Sequence, residues 1–309
     1  REVEHTAGLR LRNDDIGQVG LFNTVAQRRL GTVRSDSILQ TSAGLYYSAS
    51  IPWTPWLRSN LGVRGDFYRF KVHSDNPANS GKASDSLLGP KLGLVFGPWS
   101  NVEYYANYGH GFHSNDARGA TITVDPAAGT PAGRVTPLVR AVGAELGLRA
   151  APFTGVQTSV ALWRLDLASE LIFVGDAGTT EASRPSRRQG IEWANYYRPL
   201  GSVTFDFDLT LSKARFKGDD PAGNFIPGSA DRTLSAGVTF GEKEGWSGGL
   251  RLRHFGPRTL VADNSQKSGS STLVNGRLGY AVNKQFKLGA EVLNIFGRKV
   301  DDITYFYAS

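Results

Sequence analysis

Apolar and polar residues alternate with a period of two along almost the whole chain, the signature of strands with two unlike faces. The clearest run is 203–211, where Val203, Phe205, Phe207, Leu209 and Leu211 share one face while Thr204, Asp206, Asp208 and Thr210 share the other. Comparable runs occupy 43–51, 61–67, 88–96, 102–108, 142–148, 161–167, 191–197, 234–240, 246–252, 272–280 and 286–292, with weaker ones at 7–11 and 21–27. The pattern predicts about 14 strands, no amphipathic helix, and an all-β fold.

Charge is distributed unevenly between the two faces. With 20% of residues charged, random placement would put about ten charges among roughly fifty apolar-face positions; none is read there, as expected where lipid penalises charge. The polar faces carry Arg64, Glu103, Glu145, Arg164, Asp166, Glu192, Asp206, Asp208, Arg251, Arg253, Arg277 and Glu291, with Asp66, Lys91, Arg149 and Lys287 beside them. Both signs are balanced, which suits a hydrated inner wall of ion pairs. These charged side chains are therefore expected to face the lumen of an up-and-down antiparallel transmembrane β-barrel.

Connection lengths sort in the same way. Short turns are expected at 52–55, 97–100, 151–154, 199–201, 241–244 and 282–284, alternating with long polar loops at 73–85, 113–134, 169–187, 216–230 and 255–270. Up-and-down topology places every second connection at the same rim, so one rim is short-turned and the other long-looped. Trp53, Trp56, Trp99, Trp246 and Phe286 crowd the short-turn ends, where an interfacial aromatic belt would lie. A second aromatic group is read near the long loops, at Phe67, Tyr68, Phe70, Tyr108, Phe173 and Phe296.

Composition narrows the classes further. The 37 glycines among 309 residues mark turns and strand positions where a side chain would be in the way. With no cysteine there is no disulfide, thiolate metal site or Cys nucleophile. No stretch of 18 apolar residues exists, so no helical span is expected, which leaves strand-built membrane proteins untouched. The net charge of +7 is scattered rather than clustered, so no nucleic-acid partner is expected.

Several segments resemble the TonB-dependent outer-membrane receptors. Tyr108-Gly109-His110-Gly111-Phe112 is similar to the aromatic-Gly-x-Gly-Phe segment of a mid-barrel strand, although His113-Ser114-Asn115-Asp116 replaces the Arg-Ala-Pro-like run that often follows. Ala144-Glu145-Leu146-Gly147-Leu148, the strand 161–167, Gln189-Gly190-Ile191-Glu192 and Val292-Leu293-Asn294-Ile295-Phe296-Gly297-Arg298-Lys299 resemble further segments in the family's order. The resemblance implies a barrel of about 22 strands around an N-terminal plug. On that reading residues 1–309 are one partial barrel domain, with the plug and several strands before it and a closing strand after it. Such a fragment is expected not to close alone, because two edges stay unpaired.

The resemblance also implies function: energy-coupled uptake of a scarce ligand, an iron chelate (siderophore) being the commonest cargo, across the outer membrane of a Gram-negative cell. It implies a TonB complex engaged through the N-terminal region, a small-molecule ligand, contact with outer-membrane lipid and lipopolysaccharide, and a monomer when full length. Phe112, His113, Asn115, Asp116 and Arg118, opening the long 113–134 loop, are the candidate ligand contacts. A passive porin or channel is the alternative, and a barrel enzyme a third reading.

No resident cofactor, metal site or catalytic group is expected. His110 and His113 stand three apart, a spacing that splays side chains on a strand. Asp219-Asp220 and Asp263-Asn264 fit polar turns better than a calcium loop. No nucleophile elbow accompanies the serines. Arg184, Arg187 and Arg188 form the densest basic cluster, a candidate contact for lipopolysaccharide phosphates or an anionic ligand.

Overall fold

The computed structural model describes residues 2–174, 179–241, 244–301, 304 and 306; within 171–174 and 179–182 only the backbone is described. The alternating runs form one 13-stranded antiparallel sheet in which almost every strand pairs with its neighbours in sequence. Its strands are β1 (Glu4–Val25), β2 (Arg28–Thr54), β3 (Leu57–Ser74), β4 (Gly81–Trp99), β5 (Val102–Ser114), β6 (Leu138–Ala150) and β7 (Val156–Leu167). After a separate two-stranded hairpin, β8 (Leu171–Val174) and β9 (Thr179–Ala182), the sheet continues through β10 (Ser186–Leu200), β11 (Val203–Phe216), β12 (Arg232–Gly241), β13 (Gly245–Phe255), β14 (Ser271–Ala281) and β15 (Lys287–Val292). The only α-helical piece among the described residues is the five-residue α1 (Ala117–Thr121). The sheet is open, with β1 and β15 at its two edges.

The expected 14 strands become 13 because the weak runs 7–11 and 21–27 belong to one strand. β1 pairs with β2 from Glu4↔Ser50 to Val25↔Arg28, and the chain reverses at Ala26 and Gln27, both at positive φ. Two residues with that backbone twist match the twist of the flanking strands. The expected loop 73–85 is also mostly strand. β3 and β4 continue their pairing to Val72↔Gly81, leaving only residues 75–80 between them. Strands of 22 and 27 residues greatly exceed the roughly 9–11 needed to cross a bilayer. β1 to β4 therefore project beyond the apolar band.

Directly paired residues in an antiparallel sheet share a face, so the registers assign the two faces. One face carries the paired charges and is the concave, inner one: α1 packs on it, and a hollow of about 810 Å³ spans it from Glu103 to Arg251. The other carries Leu61, Leu92, Leu146, Leu162, Leu250 and Leu278, all exposed. Trp53, Trp56, Trp99 and Trp246 are exposed near the short turns, with Trp56 stacked on Trp99 at 6.2 Å and Trp246 against Tyr280 at 5.0 Å. The second aromatic group divides. Phe67 and Tyr108 face outward, whereas Tyr68 and Phe70 fall on the inner face by register, where α1 covers them. The side chain of Phe173 lies outside the described residues.

Candidate functional site

The inner wall is built from strand alternation. Arg64, Glu103, Glu145, Glu192, Asp206, Asp208, Arg251, Arg253, Arg277 and Glu291 fall on the inner face by register. Arg64 donates from Nε and a terminal nitrogen to the two Asp66 oxygens, each at 2.7 Å. Arg251 reaches across β12 to Asp206 at 2.8 Å and donates to Ser235 Oγ at 3.1 Å. Arg277 stands directly opposite Glu291, and Arg58 approaches Glu103 at 4.0 Å.

Glycine makes two of these pairs sterically possible. A Cβ on Gly237 would lie 2.7 Å from Asp206 Oδ1 and 2.9 Å from an Arg251 nitrogen. At Gly44 it would meet the Asp66 carboxylate at 2.7 Å and collide with the Arg64 guanidinium. Part of the glycine excess is thus space for ion pairs.

Arg164 and Asp166 depart from the expected inner placement. They pair with Gln189 and Arg187, on the outward face that holds Leu162 and Ile191, while Trp163 turns inward opposite Glu145. By alternation alone the all-apolar face Ala161, Trp163, Leu165 and Leu167 reads as the lipid side, and only pairing with the neighbouring strands reverses that choice. Trp163 lies over Gly190, where a Cβ would come within 2.9 Å of its ring. Arg164 and Asp166 sit above the last apolar outward row, where charge is tolerated.

Of the five candidate residues, Asn115, Asp116 and Arg118 hold the connection 115–137 in place, while Phe112 and His113 belong to the end of β5. Phe112 packs edge-on to Tyr68, ring centroids 5.7 Å apart. Asn115, 4% exposed, donates from Nδ2 to Thr136 O at 2.6 Å. Asp116 caps α1 by accepting from the Arg118 backbone N–H at 2.9 Å and binds the Arg118 side chain at 2.6 Å. His113 Nε2 and Asn115 Oδ1 are enclosed without a hydrogen-bond partner among the described residues.

Burial pushes the Asp116 carboxyl up, but its hydrogen bonds and charge contact with Arg118, helped by Arg34, win and leave it below the usual carboxylate range. The Arg118 guanidinium is correspondingly raised, by its hydrogen bond to Asp116 against the pull of burial, with Asp36 contributing. Arg34 and Asp36 form a second pair at 2.7 Å, each 2% exposed. Four charges therefore knit β2 to α1.

Asn79, at the tip of the β3–β4 hairpin, was not a sequence candidate, yet it anchors the loop. It donates to Val124 O and accepts from the Thr123 and Val124 backbone N–H groups, each at 2.9 Å. Thr121 Oγ1 also donates to Asn79 O at 2.9 Å. In sequence it reads as one more polar turn residue within Asn76-Pro77-Ala78-Asn79-Ser80, so nothing local marks it.

The remaining polar motifs resolve into turns. Asp220 accepts from the Ala222 N–H at 2.8 Å and pairs with Arg184 at 3.2 Å. Asp263 accepts from the Ser265 N–H at 2.9 Å. The basic trio separates: Arg187 faces outward onto Asp166, Arg188 inward onto Glu170, and Arg184 binds the 217–231 connection at Asn224. His110 and His113 lie on opposite faces of β5. Among the described residues no group of three His, Asp or Glu is placed to hold a metal ion.

A family model described as TonB dependent receptor-like, β-barrel, matches residues 2–295. No curated protein matches the sequence significantly. Among solved structures, the ferric yersiniabactin uptake receptor of Yersinia pestis superposes with a TM-score of 0.73 at 17% identity, over 96% of this chain and 47% of that one. The copper transporter OprC gives 0.74 at 16% identity over 96% and 49%, and the ferric citrate transporter FecA 0.73 at 17% over 96% and 47%. The chain spans about half the length of these structures. At such identities the likeness speaks for the fold.

Proposed function

Because this chain belongs to the TonB-dependent receptor-like β-barrel family, we propose that it is part of the barrel wall of an outer-membrane receptor of a Gram-negative cell. The receptor imports a scarce small molecule, with energy supplied by a TonB complex acting through a region outside this chain. The observation that carries the reading is the family match over 2–295 on a sheet with an apolar outward face and an ion-paired inner face.

An iron chelate is the proposed cargo. The ferric yersiniabactin, ferric-catecholate and ferric citrate names of similar structures support it, and a copper transporter among them keeps the cargo class to be tested. The connection 115–137, folded onto the inner face of β2–β4, is proposed as one wall of the ligand site. Asn115, Asp116 and Arg118 fix its position, and Phe112, His113, Asn115, Asp116 and Arg118 are proposed to contribute ligand contacts there. Contact with outer-membrane lipid and a monomeric full-length state belong to the same proposal, as does a role in transport rather than catalysis.

The test is uptake of a panel of radiolabelled ferric siderophores, and of copper, by cells carrying the full-length receptor, with and without TonB. TonB-dependent accumulation of one ferric chelate is the expected outcome. Accumulation that persists without TonB, together with open-channel conductance in planar bilayers, would replace the reading with a passive porin.

A further inference from the structure

The wall carries a break between β4 and β5. Their ladder runs from Trp99↔Val102 only as far as Lys91↔Gly109, although β4 continues to Gly81 against β3 and β5 to Ser114 against β6. The next residue on β4 is Pro90, which has no N–H to offer a neighbouring strand. On the other side Gly109 stands opposite Gly143, and Gly111 follows, so β5 and β6 can bend there without side-chain conflict.

Above the break the ends of β5 and β6 lean inward across β4. By the β5–β6 register Phe112 shares the outward face with Tyr108, yet its ring meets the inner-face Tyr68 of β3, centroids 5.7 Å apart. Leu138, which opens β6, is 2% exposed, and its N–H donates to the inner-face Asp85 at 3.2 Å. The lean leaves a hollow of about 180 Å³ between the two layers. Arg64, Asp66 and Lys91 line it from the wall, and Phe112 and Arg140 from the leaning ends.

Three cations there face one carboxylate, an excess of two positive charges before His110 is counted. Arg64 uses Nε and one terminal nitrogen on Asp66, which leaves its other terminal nitrogen. Lys91 and Arg140 have no side-chain hydrogen bond or ion pair among the described residues. The hollow is smaller than the roughly 300–1,000 Å³ of sites for drug-sized ligands, so it fits a small ion rather than a cargo molecule.

We propose that this hollow binds one tetrahedral dianion, hydrogenphosphate or sulfate, and that the bound ion pins the ends of β5 and β6 against the β3–β4 wall. Two negative charges match the excess. Tetrahedral oxygens can accept from Arg64 and Lys91 on one side and from Arg140 on the other, and guanidinium forks suit paired oxyanion oxygens. The connection 115–137 leaves β5 at Ser114 and enters β6 at Leu138, so pinning those ends also steadies the connection. The ion site is independent of the cargo that the receptor carries.

The test titrates the full-length receptor, in detergent and a buffer free of oxyanions, with inorganic phosphate, sulfate and acetate in a calorimeter. Saturable binding of one phosphate or sulfate per protein is expected, and the tighter of the two names the ion. Lys91→Gln and Arg140→Gln should each weaken it about tenfold or more, because each removes a charged donor. Lys91→Arg should keep it. The bound dianion should also slow protease cleavage within 115–137, and Arg140→Gln should abolish that protection.

No saturable binding of either dianion, or binding unaltered in both Gln variants, would overturn the site. Acetate held as tightly as the dianions would overturn the charge match. Binding without any change in cleavage would overturn the pinning. Heat-modifiable migration identifies variants whose barrel is intact, and titration of the unaltered protein decides the site even where a variant fails to fold.

Discussion

The two ends of the sheet share one alternation and make opposite use of its inner face. Across β2 to β4 the inner side chains Ile38, Phe70 and Val72 are buried against Ala117 of α1, with the Arg34–Asp36 pair sealed nearby. Across β11 to β14 the inner side chains are charged and open, and the Arg251–Asp206 pair keeps 38% and 21% side-chain exposure. The difference comes from strand length. β2 and β3 run far enough past the apolar band for the 115–137 connection to fold back onto them, and a covered surface must be apolar or fully paired. Alternation thus specifies two faces without specifying what each face meets.

The comparison breaks most sharply at the covered end. Phe70→Ala removes a ring with no exposed surface and should cost about 3–5 kcal/mol. The full-length receptor should then show a lower unfolding midpoint and new protease cleavage within 115–137. Leu250→Ala on the exposed outward face should leave that connection protected, and equal cleavage in both variants would contradict the covered-end picture.

Charge gives the next contrast. Asp36→Asn leaves the Arg34 guanidinium enclosed beside a neutral amide and should destabilise by about 3–5 kcal/mol. Asp206→Asn breaks a partly solvated pair and should cost about 1 kcal/mol or less. Urea unfolding of the two variants in matched detergent measures the gap; a gap of the opposite sign would mean the Arg34–Asp36 pair is solvated.

Gly237→Val tests the open wall. Its Cβ would enter the space of the Asp206–Arg251 pair, so the pair should separate while the strands stay in register. Intact heat-modifiability with altered inner-face accessibility to a charged probe is the expected result. Loss of the barrel would mean that Gly237 serves the backbone instead.

The smallest effect expected is a pH dependence at the covered end. The Asp116 carboxyl is depressed in the folded state, so its contribution is complete above the ordinary carboxylate range and is lost as pH falls through the depressed folded value. Protection of 115–137 from protease should therefore fade on acidification below about pH 4. Asp116→Asn should remove that dependence, and a variant that keeps it would point to another titrating group.

Most of the sheet was legible because lipid on one side and polar groups on the other force a strict period of two. The runs 203–211, 234–240 and 246–252 became β11, β12 and β13 with their charged faces together. Legibility failed where that constraint stops. Above the apolar band outward positions no longer need to be apolar, so Arg164 and Asp166 face outward where alternation alone predicts the lumen. The polar stretch 73–85, read as a loop, is largely paired strand. The candidate site was partly legible: the 113–134 segment was recognisable as long and polar, but Asn79, which fastens it, lies 36 residues before Asn115 in sequence.

The sequence alone determined the all-β class, the strand positions within the band and the apolar outward rows, because each follows from local periodicity, and its short motif segments carried the family resemblance. Only the tertiary structure decided that β1 is one strand, that Trp163 faces inward, that Arg34, Asp36, Asp116 and Arg118 converge, and that the basic trio points three ways. Those features depend on register and on a loop folding back, and both are set by residues far apart in the chain. A period of two fixes which side chains share a face; the neighbouring strand fixes which face it is.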